Sequence, residues 1–268
     1  MKTNDGILKE LEDGVKAVFT SEKYTEYLNV MSRFYHYSAG NCLLIAMQRP
    51  DATLVAGFKA WQSKFGRSVK KGEKGIRILA PCPHKFVKTI DGEEKEITIV
   101  KFRSAAVFDV SQTEGDALPT LCDRLTGTVT GFEKLLPAIV KTSPVPIRHE
   151  RIEGTAHGYY SHANKEIVLD EGMSEAQTVK TLVHEIAHAI LHDKDGGTEK
   201  EADRNTREIQ AESVAYVVCN TFGIDTSAYS FEYVATWSKG REVKELEASL
   251  ETIRATAKDI ADRITAVL

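Results

Sequence analysis

Val179-Lys-Thr-Leu-Val-His-Glu-Ile-Ala-His-Ala-Ile-Leu-His192 is the stretch on which the reading of this chain turns. Val179, Leu182, Val183, Ile186 and Ile190 recur at three- and four-residue spacing, the period of an amphipathic helix. Within it lies His184-Glu185-Ile186-Ala187-His188, an H-E-x-x-H. On a helix, positions i and i+4 stand one turn apart on the same face, so both imidazoles can reach one Zn²⁺ at about 2.0–2.1 Å. Glu185 sits beside that face, where a carboxylate can take a proton from water activated by the metal. Histidine and glutamate among buried aliphatic residues are costly unless something partners them.

Catalytic zinc takes three protein ligands, so a third is sought nearby. His192 continues the series, but eight helical residues span about 12 Å, too far for His184 and His192 to share an ion. It reads instead as a group favourable to the helix dipole or as an outer partner of a ligand. A second helix is expected over about Thr206–Phe222, stopping at Gly223. Glu208 and Glu212 stand one turn apart on it, one to bind metal and the other to orient a histidine ring. Glu208 is the favoured ligand and Glu212 the favoured orienting residue.

Around this pair of helices, Ser174 with Gln177 three residues on is a capping-box signal for the helix start. Pro144–Ile152, Gly158–His162 and Glu166–Leu169 read as strands, the last two joined by a turn at Ala163–Lys165, and Gly131–Val140 reads as a helix. The chain closes on Val243, Leu246, Leu250, Ile253, Ala257, Ile260, Ile264 and Val267, a 3-4-3-4 stripe. Such a stripe packs on its own domain or zips two subunits together, so a monomer and a homodimer through the C-terminal helix both stay open.

The first half has a different texture. Helical periodicity runs through Ile7–Val18, through Tyr24–Phe34 after Ser21, from Ser38 to Met47, and through Phe58, Trp61 and Phe65 to Gly66. Strands follow at Ile76–Leu79, Lys85–Lys88, Glu96–Phe102 and Ala105–Val110, with Asp91-Gly92 as a hairpin turn. Net charge divides with the texture. The total of −4 is composed of +6 over residues 21–110 and −9 over 111–268, with −1 from the first twenty. Between residues 59 and 88 there are nine cations and one acid, Glu73, interleaved with Trp61, Phe65 and Phe86. Cations that follow phosphates and aromatic faces that stack bases are what single-stranded nucleic acid requires. Trp61, Arg67, Lys70, Lys71, Lys74 and Arg77 are the candidate contacts, the lysines on a Gly-containing loop that lets backbone amides approach phosphate.

Composition excludes other classes. With 42% hydrophobic and 28% charged residues the chain has the apolar content of a packed core. Its longest apolar runs, such as Cys42–Met47, fall far short of the roughly 20 residues of a membrane helix, so no membrane partner is expected. The first nineteen residues carry mixed charges unlike a secretory signal. The four cysteines are dispersed without a C-x-x-C pair, which suits buried thiols in a reducing cytoplasm.

Two resemblances extend these readings. His184–His192 (HEIAHAILH) followed by Arg207–Tyr216 (REIQAESVAY), with the preceding Gly158–Leu169 segment, resembles the ImmA/IrrE-type zinc metallopeptidases of the gluzincin group. That resemblance implies Glu208 as third ligand, four residues before Glu212. Ala52–Cys82, containing W-x(5)-R-x-V-x-K-G-E-K-G-I from Trp61 to Ile76, resembles the N-terminal domain of ArdC-type antirestriction proteins, a module that binds single-stranded DNA. In that family it is joined to an H-E-x-x-H domain and is carried on conjugative mobile elements. The expected architecture is therefore α+β in two domains. Residues 1–115 form a basic helix-plus-sheet DNA-binding domain. Residues 125–268 form a gluzincin-like metallopeptidase domain with an H-E-x-x-H helix and a long C-terminal helix. The expected function is single-stranded-DNA binding with zinc-dependent proteolysis of a protein substrate whose identity the sequence leaves open. The alternative is DNA protection with a metal site that is only structural or regulatory.

Overall fold

A computed structural model of the chain describes residues 4–90, 93–118, 129–199, 201–227 and 229–268. The fold is α+β and divides into two compact units. One comprises Met1–Lys16 with Leu43–Leu118, and the other Ala17–Cys42 with Pro119–Leu268. The helix expected over 21–34 thus groups with the second unit, because its apolar face has its complement there.

In the first unit, helix α1 (Asn4–Val18) and helix α3 (Ala39–Gln48) precede β1 (Val55–Gly57) and α4 (Phe58–Phe65). Helix α4 ends as expected at Gly66, whose φ of +63° is the left-handed conformation that glycine adopts without a Cβ penalty. Strand β2 (Arg67–Val69) pairs with β5 (Thr113–Gly115). The four short strands expected between 76 and 110 fuse into two long ones, β3 (Ile76–Ile90) and β4 (Glu93–Asp109), in antiparallel register from Ile76↔Val107 to Ile90↔Glu93. Pro81 and Pro83 lie within the paired ladder. The Asp91-Gly92 turn lies outside the described residues. Strand β1 joins the other side of β4, giving the order β1-β4-β3.

One carboxylate ties this unit together. Asp109 accepts from the backbone N–H of Thr53 at 2.8 Å, Leu54 at 3.1 Å and Ser111 at 2.9 Å, and from the Ser111 hydroxyl at 2.6 Å. Gln112 completes a capping box by accepting from the Asp109 N–H at 3.0 Å. Its amide nitrogen reaches on to Glu73 Oε2 at 2.8 Å and the Lys74 carbonyl at 2.9 Å.

The second unit is built round α7 (Arg204–Thr221), which is buried almost all round from Ile209 to Cys219. Small residues Ala211, Ser213 and Ala215 let neighbouring helices approach it closely. Helix α2 (Ser21–Phe34) lies on one side, where the Tyr24 hydroxyl and Ser213 Oγ are 2.8 Å apart and buried. Helices α6 (Glu175–Leu191) and α9 (Val243–Val267) pack against it and α5 (Val129–Thr142) packs on those two, with the short α8 (Val234–Ser238) between α7 and α9 in sequence. The terminal stripe is spent inside the unit: Leu246, Leu250, Ile253, Ala257, Ile260 and Ile264 are all buried, so the same face is not open for a homodimeric zipper.

A three-stranded sheet completes the unit, with β6 (Ile147–Glu150) parallel and β7 (Gly158–Ser161) antiparallel to the central β8 (Glu166–Asp170). Strand β7 is therefore an edge. It lies tight on α6: a Cβ at Gly158 would come within 2.7 Å of Thr181 Cγ2 and 2.9 Å of the Val168 carbonyl oxygen. Ser174 caps α6 by accepting from the Gln177 N–H, while the Gln177 side chain turns to Thr181 Oγ1 at 3.1 Å and leaves the expected capping box half made.

Candidate metal centre and basic face

Helix α6 carries His184 and His188 one turn apart, with Nε2 atoms 3.0 Å from each other. Glu208, on the first turns of α7, brings Oε2 to 3.8 Å from His184 Nε2 and 3.7 Å from His188 Nε2. The three side chains form a group able to hold a metal ion. Tetrahedral ligands at about 2.0–2.1 Å from zinc stand about 3.3 Å apart, a value that these separations bracket. Burial, then the neighbouring His188, lowers the His184 pKa to about 4, which keeps the ring neutral and its lone pair available. The close approach of His188, followed by that of His184, holds Glu208 below the ordinary carboxylate range.

Glu185 is 7% exposed, and burial raises its pKa to about 7, with a backbone hydrogen bond from Tyr160 on the edge strand opposing that rise. The Tyr160 hydroxyl is itself held by Asp193, which also accepts from Lys165 Nζ at 2.6 Å and from the N–H groups of Asp195 and Gly196. The turn after α6 is thereby tied to the edge strand.

His192 is buried and stands behind His188. Its Nδ1 is 2.9 Å from His188 Nδ1, and its Nε2 is 2.9 Å from Gln210 Oε1 on α7. His192 thus stands next to His188, the position in which an orienting partner was expected of Glu212. Glu212 instead accepts from the Tyr233 hydroxyl, and among the described residues it makes no hydrogen bond to an imidazole. The reason is geometric: Gln210, two residues on from Glu208, is turned inward toward α6, and no spacing rule for glutamates would have selected it.

The centre opens on both sides. One cleft of about 700 Å³ is lined by His157, Lys180, Thr181, His184, Glu185 and Tyr229 among others. A second of about 1110 Å³ is lined by Tyr159, His162, His184, His188, Arg204 and Arg207 among others. Gly158 and Glu185 border both, so the edge strand runs along the centre.

In the first unit, the expected nucleic-acid contacts separate. Trp61 is 0% exposed and its indole N–H donates to the Phe108 carbonyl at 2.8 Å. It is a core residue, and the reading of it as a stacking platform is corrected: a base cannot reach a ring sealed between α4 and β4. Arg67 is also committed elsewhere. Its guanidinium donates to Thr113 Oγ1 at 2.8 Å, the Thr113 carbonyl at 3.0 Å and the carbonyls of Gly115 and Asp116. It closes the β2–β5 end and is not free for phosphate. Lys70, Lys71 and Lys74 are exposed on the loop between β2 and β3. That loop is anchored by Lys70 N–H to the Gln112 carbonyl at 2.9 Å, by Lys70 Nζ to the Ser111 carbonyl at 3.0 Å, and by the Gln112 contacts to Glu73 and Lys74. Glu73, its one acid, is held by Gln112 Nε2.

Two aromatics that the sequence pattern left unmarked are exposed. Phe58 and Phe102 are each 58% exposed, and Phe58 lies edge-on to Phe108 with centroids 6.1 Å apart. By strand alternation Phe102, Phe108 and Arg77 share one face of the β3–β4 ladder, since Arg77 pairs with Ala106. The period-two pattern through Phe102, Ser104, Ala106 and Phe108 is the signal that could have found Phe102.

Comparison with known proteins follows the same division. Residues 2–108 match the family model for the N-terminal domain of anti-restriction factor ArdC, and residues 142–256 match that for the IrrE N-terminal-like domain, a peptidase family. An uncharacterized protein of Bacillus anthracis is 28% identical over 304 aligned positions, covering 98% of this chain; the chain spans about half the length of that relative. Among solved structures, the metal-free antirestriction ArdC protein from the R388 plasmid superposes with a TM-score of 0.55 at 19% identity, over 87% of this chain and 86% of that one. Its Mn(II)-bound form gives 0.52 at 22% identity, over 86% and 84%. These likenesses establish a shared fold. Among the described residues no helix is long and apolar enough to cross a membrane. An ArdC N-terminal-domain match followed by an IrrE-like peptidase-family match supports an ArdC-type protein.

Proposed function

We propose that this chain binds single-stranded DNA through its basic unit and cleaves a protein substrate through a zinc centre formed by His184, His188 and Glu208. The observation that carries the reading is the convergence of those three ligand atoms within 4.8 Å beside the buried Glu185. Two imidazoles and one carboxylate are a ligand set that suits zinc, and a relative of the same fold has been solved with Mn(II).

When bound, the metal supplies Lewis acidity to a scissile carbonyl and to water. The chain's own residues do the rest. Glu185, with its pKa near neutrality, takes a proton from the water that attacks the carbonyl carbon and returns it to the amine as the C–N bond breaks. The outer edge of β7 offers backbone groups that an extended peptide can pair with, laying it across the centre. His192 keeps His188 in the tautomer that leaves Nε2 free.

On the first unit, Lys70, Lys71, Lys74 and Arg77 attract phosphate, and Phe58 and Phe102 offer faces to unpaired bases. In this reading the boundary between the two activities falls between 115 and 125, within the stretch that neither family match covers. A setting on a mobile element accords with the plasmid origin of the solved relatives, and the free thiols Cys42, Cys82 and Cys219 accord with the cytoplasm.

The test compares the full wild-type chain with Glu185→Gln and His184→Ala. Glu185→Gln is expected to retain about one zinc per chain and oligonucleotide binding while losing cleavage; His184→Ala is expected to lose the metal. Undiminished cleavage by Glu185→Gln would move the proton-transfer role elsewhere. Full protection of DNA from restriction by both variants would leave DNA binding as the antirestriction activity and separate it from the metal.

A further inference from the structure

The clefts flanking the metal centre carry more positive charge than hydrolysis uses. Arg204 and Arg207, on the first turn of α7, line the cleft on the His188 side, and Lys180 lines the other. Three acids line the same walls, and each has a local task. Glu185 is buried at the centre, Glu208 faces the two imidazoles, and Glu212 accepts from Tyr233. Asp203, next to Arg204 in sequence, caps α7 through Thr206 and pairs with Arg241 at 2.8 Å. Among the described residues, neither Arg204 nor Arg207 forms an ion pair or a side-chain hydrogen bond. Arg204 is exposed and Arg207 half-buried.

Two unpaired guanidiniums on one wall of a cleft favour a ligand that brings carboxylates to them, since Arg offers a planar fork matched to that group. The free edge of β7, with Gly158, Tyr159 and Tyr160 in the same cleft, fixes the form of the ligand as an extended peptide. Building on the peptidase reading above, we infer that the substrate carries an acidic side chain on the His188 side of the scissile bond, and that Arg204 and Arg207 recognise it. Both are specificity-determining residues and take no part in proton transfer. In this orientation the peptide backbone lies along β7 and the acidic side chain crosses the cleft to the start of α7.

The experiment uses the zinc-loaded full chain carrying Glu185→Gln and a set of fluorescein-labelled decapeptides. They are identical except for one Asp moved stepwise through a neutral sequence, with Asn counterparts as controls. Wild-type cleavage of the same peptides is mapped by mass spectrometry. At one position Asp is expected to bind about tenfold tighter than Asn, the gap shrinking with added salt. Arg204→Gln/Arg207→Gln should close that gap with zinc affinity unchanged, and Arg207→Glu should shift the preference toward Lys at that position. Equal binding of every Asp/Asn pair overturns the inference, as does a gap that survives the double substitution. Loss of zinc in the double variant also overturns it, since the arginines would then serve to hold Glu208. If the double substitution weakens oligothymidylate binding and no peptide preference exists, the arginines belong to nucleic acid and the inference fails. Selective binding without any wild-type cleavage would uphold the recognition and reject the peptidase reading. Cleavage indifferent to Asp would do the reverse.

Discussion

His192 places its Nδ1 2.9 Å from Nδ1 of His188. One proton must lie between these two nitrogens, and Gln210 Oε1, 2.9 Å from His192 Nε2, decides whose it is. The Gln210 oxygen accepts from His192 Nε2–H, so His192 Nδ1 is the acceptor and His188 Nδ1 the donor. His188 Nε2 is then left with its lone pair facing His184 and Glu208. Burial, ahead of all other influences, holds the His192 pKa at about 4, so the ring stays neutral and the chain of bonds keeps its direction.

Gln210→Leu or His192→Leu is therefore expected to weaken zinc binding by about 10–100-fold, the usual effect of removing an outer partner of a ligand. Competition with a colorimetric chelator measures it, with circular dichroism as the control for folding. An affinity equal to wild type in both variants would show that His188 needs no such partner.

Phe58→Ala and Phe102→Ala should each weaken oligothymidylate binding by about 1–3 kcal/mol while the protein stays folded, as the loss of one stacked base predicts. Trp61→Ala should act on stability, by about 3–5 kcal/mol, because it empties a core site and orphans the Phe108 carbonyl. Fluorescence anisotropy across a salt series separates the two effects. Neutralising Lys70, Lys71 and Lys74 should flatten the dependence of log K on log salt by about 0.7 for each phosphate that no longer meets a cation.

Asp109 gives the first unit a sensitivity to acid. Burial pushes its pKa up, but hydrogen bonds from the Ser111 side chain and from the N–H groups of Ser111, Thr53 and Leu54 outweigh this and leave it below the ordinary value of 3.8. Its contribution to stability is complete above the unfolded pKa near 3.8 and is lost as the pH falls below that through the folded value. Asp109→Ala should cost about 2–4 kcal/mol at neutral pH by leaving buried amides unpaired. In thermal melts the wild type should lose its advantage over the variant as the pH falls from about 5 to about 2. A difference that does not change with pH would remove the carboxylate charge from the account.

The stripe on α9 predicts a stability effect without an assembly effect. Ile253 is wholly buried, so Ile253→Ala should destabilise the second unit by about 2–5 kcal/mol. Light scattering should find the same mass for the folded variant as for wild type across a range of concentrations. A change of mass would mean that the stripe meets a second copy.

The sequence by itself determined the two-part α+β organisation and the helix carrying His184, Glu185 and His188, and it favoured Glu208 over Glu212 as the carboxylate to join them. These are local regularities: a period of 3.6 puts i and i+4 on one face, and cap and turn residues mark where helices end. The fusion of four expected strands into one long β3–β4 ladder could not be seen, because paired neighbours sustain a strand through Pro81 and Pro83. Only the tertiary structure turned Trp61 inward and left Phe58 and Phe102 outside. Helical spacing placed Phe58, Trp61 and Phe65 on one apolar face without saying that the face ends before Phe58. It also decided that Arg67 closes a strand pair, that Gln210 and His192 stand behind His188, and that Arg204 and Arg207 line the cleft beside the histidines, unpaired among the described residues. Each of these depends on which residue from a distant segment arrives opposite, and no period within one segment encodes that.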